Sequence, residues 1–153
     1  PATVRNALVG SATPNKVINA GAGSPNLLLY TLGGGTPPPP GCGIMASGTS
    51  LPTGGSVTSC DGRFTFVIQG DGNLVLYQAG VGALWANHVY GSGHTLHMQG
   101  DGNLVVYNNI GQARWHTVTY GNPGAFLAVQ NDGNVVVYSA AGRPLWASNT
   151  CCR

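Results

Sequence analysis

The chain has 153 residues and a formal net charge of +2, with 7% charged residues, 25 glycines and 10 prolines. An ordinary globular domain has about 25% charged residues, so this composition disfavours long salt-bridged helices and favours strands and turns. The length suits one domain, or one domain with an appendage. No apolar run approaches the roughly 20 residues that a membrane-spanning helix needs, so we expect no membrane span.

The charged side chains exclude several functions. The carboxylates are those of four aspartates, with no glutamate: Asp61, Asp71, Asp101 and Asp132. The six basic residues are scattered and form no stripe for phosphates, so nucleic acid is not an expected partner. Because no catalytic constellation is recognisable, we predict neither enzymatic activity nor a cofactor.

The first predicted element is a short helix at the start of the chain. Pro1 followed by apolar Val4 and Leu8 is typical of a helix with one buried face. Residues 1–32, above all the stretch S-P-N-L-L-L-Y that ends at Tyr30, resemble the carboxyl-terminal tail of secreted subtilisin-like serine proteases. The resemblance implies a fragment of a longer secreted precursor, although no catalytic element of that family lies in the segment.

A linker follows at residues 33–41, where glycines flank four consecutive prolines. Such a sequence forms a hinge and a semi-rigid spacer, which places a domain boundary here. We therefore predict a segment at 1–32 and one folded domain at 42–153. The extension-prone Leu27–Tyr30 stretch could add to a neighbour's exposed sheet edge, so self-association through this segment or through sheet edges is a further expectation.

Beyond the linker the motif Q-x-D-x-N-x-V-x-Y occurs three times, at intervals of 30 and 31 residues, and a tryptophan follows eight residues after each tyrosine. The motif residues are Gln69, Asp71, Asn73, Val75 and Tyr77, then Gln99, Asp101, Asn103, Val105 and Tyr107, then Gln130, Asp132, Asn134, Val136 and Tyr138. The tryptophans are Trp85, Trp115 and Trp146. A fixed period of this length indicates three copies of one structural unit.

Each repeat is predicted to be a small antiparallel sheet. In the first copy Phe66 and Ile68 show the period-2 pattern of a half-buried strand. The Asp-Gly pair then supplies a hairpin turn, because glycine tolerates positive φ. After the turn Leu74 and Leu76 point to one face and the motif residues to the other, and a third strand ends at the tryptophan. One sheet cannot bury its inner face alone, so we expect three to pack about a common axis filled by the tryptophans.

The three motifs with their trailing tryptophans resemble the bulb-type, or monocot-type, mannose-binding lectin family over residues 43–153. The resemblance implies an all-β fold of the β-prism II type, with three four-stranded antiparallel sheets about a pseudo-threefold axis. It also implies metal-independent binding of α-linked mannose in shallow pockets. All five motif positions are intact in all three copies, which implies three competent sites.

By that resemblance, Asp71 and Asn73 hold the 2-hydroxyl of the sugar, Gln69 the 3-hydroxyl and Tyr77 the 4-hydroxyl, while Val75 contacts the ring carbons. The same roles pass to the second and third copies. The chemistry agrees, because a sugar hydroxyl both donates and accepts and the motif offers groups for both.

Two alternatives stay open at this stage. Asp-Gly-Asn is ordinary hairpin chemistry, so the prism could be a structural or self-assembling building block. A lectin-like antibacterial protein is a further possibility that the sequence does not separate from these. Sugar binding is favoured because three of only four carboxylates occupy the same motif position.

The four cysteines, Cys42, Cys60, Cys151 and Cys152, lack the spacing of a zinc site and indicate an oxidised, secreted protein. Adjacent Cα atoms lie about 3.8 Å apart, below the usual range for a disulfide. We therefore expect Cys151 and Cys152 to bond back to Cys42 and Cys60. Of the histidines, His94 and His97 are three apart and fall on opposite faces of a strand, so no metal site is predicted.

Overall fold

The computed structural model describes residues 42–152 and two short strands of the preceding segment, β1 (Thr13–Pro14) and β2 (Leu27–Leu28). The chain divides into two compact units, Pro1–Thr36 and Pro37–Arg153. In the first unit β1 pairs antiparallel with β2. The helix expected near Pro1 and most of the protease-like stretch lie outside the described residues.

The second unit consists of strands joined by turns. Their bounds are β3 (Ile44–Met45), β4 (Thr49–Leu51), β5 (Ser56–Thr58), β6 (Phe64–Ile68), β7 (Leu74–Gln78), β8 (Gly82–Ala86), β9 (Thr95–Met98), β10 (Leu104–Tyr107), β11 (Ala113–His116), β12 (Phe126–Val129), β13 (Val135–Tyr138) and β14 (Pro144–Ala147). They form three four-stranded sheets, in the orders β5-β6-β7-β8, β4-β9-β10-β11 and β3-β12-β13-β14. Every pairing is antiparallel, which confirms the predicted all-β fold.

Each repeat supplies three strands of its sheet, and the segment before the repeats supplies the fourth strand of every sheet. The strands β3 and β4 precede the first repeat and pair with β12 and β9 of the third and second repeats. The strand β5 comes directly before the first repeat and pairs with its strand β6. One stretch of chain therefore provides an outer strand to every sheet and connects the three repeats.

The core lies between the inner faces of the three sheets. The predicted alternation holds, since Phe66, Ile68, Leu74 and Leu76 are fully buried. The three tryptophan rings pack edge to face, with centroids 5.6 to 5.7 Å apart, and lie against this core. This arrangement matches the predicted filling of the common axis. None of the described segments forms a helix that could span a bilayer.

The cysteine pairing differs from the sequence prediction. Cys42 is bonded to Cys60, and Cys151 and Cys152 are free thiols, so the expected bridges to the end of the chain are wrong. The reason is topological. Cys42 precedes β3 and Cys60 follows β5, and the fold of this segment brings their Cα atoms to 5.1 Å, inside the range for a disulfide.

Candidate functional site

Each motif is built around a hairpin turn at the end of an inner strand. In the first copy the Gln69 N–H donates to the Asn73 carbonyl at 2.9 Å, and the Gly72 N–H donates to the Gln69 carbonyl at 3.0 Å. The φ of Gly72 is +84°, and its counterparts Gly102 and Gly133 have φ of +93° and +87°. Only glycine adopts this region without cost, so the predicted Asp-Gly turn is confirmed in all three copies.

The turn arranges the polar side chains in the same way each time. Asp71 Oδ1 accepts from the Asn73 N–H at 3.0 Å, and Gln69 Nε2 donates to the Tyr77 hydroxyl at 2.8 Å. In the second and third copies the corresponding distances are all 2.9 Å. These internal bonds hold the side chains in position before any ligand arrives.

The amide of the motif asparagine is oriented by backbone of the loop that follows the tryptophan strand. Asn73 Oδ1 accepts from the His88 N–H at 3.0 Å. In the second copy Asn103 Oδ1 accepts from the Thr119 N–H at 3.1 Å, and in the third copy Asn134 Oδ1 accepts from the Thr150 N–H at 3.4 Å. Because this hydrogen bond occupies Asn73 Oδ1, the Nδ2 group remains as the donor that a ligand can use. Within residues 42–152, Asp71 Oδ2 and Asn73 Nδ2 make no hydrogen bond. Each site thus offers a carboxylate acceptor beside an amide donor.

The motif valines form the apolar floor between these polar groups. Val75, Val105 and Val136 are 2 to 3% exposed, because strands pair on both sides of them. Their neighbours across the sheet are Val67 and Ala86 in the first copy, His97 and His116 in the second, and Ala128 and Ala147 in the third. The three sites therefore share a motif but have different surroundings, which the repeat alone did not reveal.

His94, in the loop before β9, and His97, in β9, have different environments. His94 is buried, and its Nδ1–H donates to the Gly72 carbonyl at 2.9 Å. His97 is half-buried on the motif face, with its ring 5.3 Å from that of Tyr107. Within residues 42–152, no three histidine, cysteine or aspartate side chains come together as potential metal ligands.

The third site is more enclosed than the other two. Gln130 and Tyr138 are only 5% exposed, whereas their counterparts in the first two copies are half-buried. The Phe126 ring stacks on Tyr138 with centroids 5.7 Å apart. Burial raises the pKa of the Tyr138 phenol and the nearby Asp132 carboxylate raises it further, so this hydroxyl keeps its proton at neutral pH.

A loop after each tryptophan strand closes one side of the site, and the repeated motif gives no sign of these loops. The Gly91 N–H donates to the Asp71 carbonyl at 2.7 Å, the Asn122 N–H to Asp101 at 2.9 Å, and the Cys152 N–H to Asp132 at 3.0 Å. The three loops share one backbone feature: the residue three positions after each tryptophan has a φ of +56 to +60°. These residues are His88, Val118 and Asn149.

The fourth aspartate has a separate role. Asp61 forms an ion pair with Arg63 at 2.6 Å and accepts from the Ser59 hydroxyl at 2.7 Å. Slight desolvation would raise its pKa, but the hydrogen bonds from Ser59 and Arg63 outweigh this and lower the pKa. Asp61 is therefore an ionised, paired carboxylate and not a poised general acid.

Three four-stranded sheets about a tryptophan-filled axis, each with one copy of the same polar motif, define a β-prism II lectin. The Japanese Marasmius oreades lectin is similar at 34% identity and a TM-score of 0.66, over 72% of this chain and 93% of that one. A monomeric monocot mannose-binding lectin from Gastrodia elata gives 38% and 0.65, over 71% and 98%. The snowdrop (Galanthus nivalis) mannose-specific agglutinin, complexed with methyl-α-D-mannoside, gives 38% and 0.59, over 72% and 99%.

The chain therefore belongs to the monocot bulb-type mannose-binding lectin family. No family profile and no curated protein matches it.

Proposed function

We propose that the protein is a lectin that binds α-mannose-type glycans through its three Q-x-D-x-N-x-V-x-Y motifs, without a metal ion. The observation that carries this proposal is the repetition of one polar network on three sheets, with the same hydrogen bonds in each copy. A purely architectural repeat would need the turn glycine, but it would not need an oriented carboxylate and amide facing outward beside it.

The arrangement suits the axial 2-hydroxyl of mannose. Asp71 Oδ2 can accept the proton of this hydroxyl while Asn73 Nδ2 donates to its oxygen, so both of its hydrogen-bonding roles are met. Gln69 and Tyr77 then hold the 3- and 4-hydroxyls, and Val75 contacts the ring carbons. No metal ion is needed, because each site supplies donors and acceptors itself.

We further propose that the protein has no catalytic activity and is secreted. Asp61, the carboxylate outside the motifs, is paired with Arg63 and leaves no free partner for acid catalysis by a motif aspartate. The Cys42–Cys60 disulfide supports an oxidising compartment. Self-association stays a prediction, to be tested by size-exclusion chromatography of the full chain and of a form that lacks residues 1–41.

The test of mannose recognition is titration calorimetry with methyl α-mannoside in the presence of a chelator. We expect a dissociation constant on the order of 1 mM per site, because a shallow pocket with a few hydrogen bonds gains about 4 kcal/mol net. Methyl α-glucoside is the matched control, since it differs only in the orientation of the 2-hydroxyl. Equal affinity for the two glycosides, or loss of binding with chelator, would refute the proposal.

Substitution of the motif aspartates tests which residues hold the sugar. In Asp71→Asn, Asp101→Asn and Asp132→Asn the amide oxygen can still accept the backbone N–H of the turn, but an NH₂ group replaces the acceptor that faces the sugar. We expect each change to remove one site from the stoichiometry, at a cost of about 1.5–3 kcal/mol at that site, with little change in stability. Full stoichiometry in the triple variant would show that the motif does not bind the sugar.

A further inference from the structure

We propose that Tyr90 and Tyr120 each form a second sugar subsite beside the first and second motif sites. These two sites would then bind mannose oligosaccharides more tightly than a single mannose residue. The inference rests on the proposed function, because it extends the mannose sites by one sugar residue.

The two tyrosines are strongly exposed and lie at the same distance along the chain from the tryptophan of their repeats. Tyr90 is 60% exposed and Tyr120 is 63% exposed, and each lies five residues after the tryptophan of its repeat. By contrast, the motif tyrosines Tyr77 and Tyr107 are half-buried. Rings so exposed contribute little to the core. Their recurrence at the same distance from the tryptophan in two repeats, in loops beside the motif sites, suggests that they contact ligand.

The loops that carry these rings are fixed against the aspartate side of each site. Tyr90 precedes Gly91, whose N–H donates to the Asp71 carbonyl at 2.7 Å. A Cβ on Gly72 would collide with the Gly91 carbonyl, so the two backbones are in close contact. The loop cannot move away from the turn without breaking this packing.

The second loop is held by the same kind of contacts, although Gly121 lies between Tyr120 and the donor residue, whereas Tyr90 adjoins its donor residue. The Asn122 N–H donates to the Asp101 carbonyl at 2.9 Å, and a Cβ on Gly102 would collide with the Asn122 carbonyl. The Asn122 side chain also donates to the Thr119 carbonyl at 3.0 Å, which fixes the short stretch that contains Tyr120. Both rings are therefore attached to backbone that is held in place beside the site.

The order of the sugar carbons directs a second residue toward these rings. If the 2-hydroxyl lies at Asp71 and Asn73 and the 4-hydroxyl at Tyr77, then C1, which adjoins C2, lies at the aspartate end of the site. A sugar linked through C1 leaves the pocket on the side of Tyr90. Its apolar C–H face can then pack on the phenol ring, and the ring hydroxyl can bond its polar edge.

The third repeat lacks this feature. Cys151 is the residue five positions after Trp146, and it is half-buried. The hydrogen bond of Cys152 to Asp132 preserves the loop, but no aromatic ring is available at the tyrosine position. The three sites of one chain should thus differ in their response to ligand length.

The experiment uses full-length chains with one intact tyrosine-flanked site. The first-site form carries Asp101→Asn and Asp132→Asn, and it is titrated with methyl α-mannoside and with an α-linked mannobiose. We expect Tyr90→Ala to lower the affinity for mannobiose about three- to tenfold and to affect methyl α-mannoside much less. Val81→Ala is the control, because this residue is 68% exposed in the turn between β7 and β8 and should change neither affinity.

The second-site form, with Asp71→Asn and Asp132→Asn, is tested in the same way with Tyr120→Ala. An unchanged ratio of mannobiose to methyl α-mannoside affinity in the tyrosine variants would overturn the subsite, as would an equal loss for both ligands. Absence of methyl α-mannoside binding in the unsubstituted chain would instead refute the proposed function. The two failures are therefore distinguishable.

Discussion

His94 performs a structural task that a threonine performs in the other two repeats. The carbonyl of Gly102 accepts from the Thr119 hydroxyl at 2.7 Å, and that of Gly133 from Thr150 at 2.6 Å. The first repeat has Val89 at the corresponding position, which offers no hydroxyl, and its Gly72 carbonyl accepts from His94 Nδ1–H instead. A carbonyl buried under each motif turn thus keeps a donor, although the donor differs.

We predict that removal of this donor destabilises the first site. His94→Leu leaves the Gly72 carbonyl buried without a partner and should lower the free energy of unfolding by about 1–3 kcal/mol. His94→Asn, which keeps an N–H near the position of Nδ1, should lose less. Urea unfolding followed by tryptophan fluorescence measures both.

A second substitution makes the test specific for the hydrogen bond. Val89→Thr restores the hydroxyl of the other repeats and should recover part of the stability lost in His94→Leu. By analogy with the 2.7 Å contact between the Thr117 and Thr119 hydroxyls of the second repeat, we expect the new hydroxyl also to lie near Asn87, whose Nδ2 is a buried donor without a partner in the described part of the chain. If Val89→Thr brings no recovery, the loss came from packing and not from the hydrogen bond.

At the scale of elements, the motif turn and the loop beside it form one unit. The turn glycines have positive φ, and Gly72 and Gly102 leave no room for a Cβ because a loop carbonyl lies against them. In the turns before the three tryptophan strands, Gly80, Gly111 and Gly142 also have positive φ, but they have open space around them. Gly142, in the turn between β13 and β14, is one example. The motif turns are therefore constrained both by backbone conformation and by contact.

We predict that Gly102→Ala is much more damaging than Gly142→Ala. Both variants incur roughly 1–2 kcal/mol for an L-residue at positive φ. Gly102→Ala must in addition displace the Asn122 backbone, and with it the loop beside Asp101. Thermal unfolding and mannoside stoichiometry should show a larger loss of stability and the loss of the second site, whereas equal effects of the two changes would contradict this close packing.

At the scale of the whole domain, the three sheets are held together by the segment before the repeats and by the tryptophan cluster. The Cys42–Cys60 disulfide encloses the strands β3, β4 and β5, each of which contributes to a different sheet. The bond thus restrains the one stretch of chain that connects all three sheets.

We predict that this disulfide, and not the cysteines at the end of the chain, stabilises the domain. Cys42→Ser with Cys60→Ser should lower the free energy of unfolding by about 3 kcal/mol, the chain-entropy value for a closed loop of roughly 18 residues. Cys151→Ser with Cys152→Ser should have little effect. A hydrogen bond with Cys151 raises the pKa of the Cys152 thiol, so Cys152 is also a poor nucleophile at neutral pH. A larger loss from the second pair would contradict the assignment.

The sequence by itself determined the features that depend on neighbouring residues. Period-2 alternation at Phe66 and Ile68 predicted the strands, and the glycine of each Asp-Gly pair predicted the turn. The fixed spacing of motif and tryptophan predicted three equivalent sheets about a common axis. Local backbone sterics and the alternation of strand faces are properties of short stretches, so a sequence reading captures them.

Only the tertiary structure decided which distant segments meet. It showed that β3 and β4 complete the sheets of the third and second repeats, and the same path of the chain brings Cys42 to Cys60. It also showed that Gln130 is buried in the third site while its counterparts are more accessible. Pairing of remote strands depends on the packing of all three sheets at once, and no pattern within one repeat encodes it.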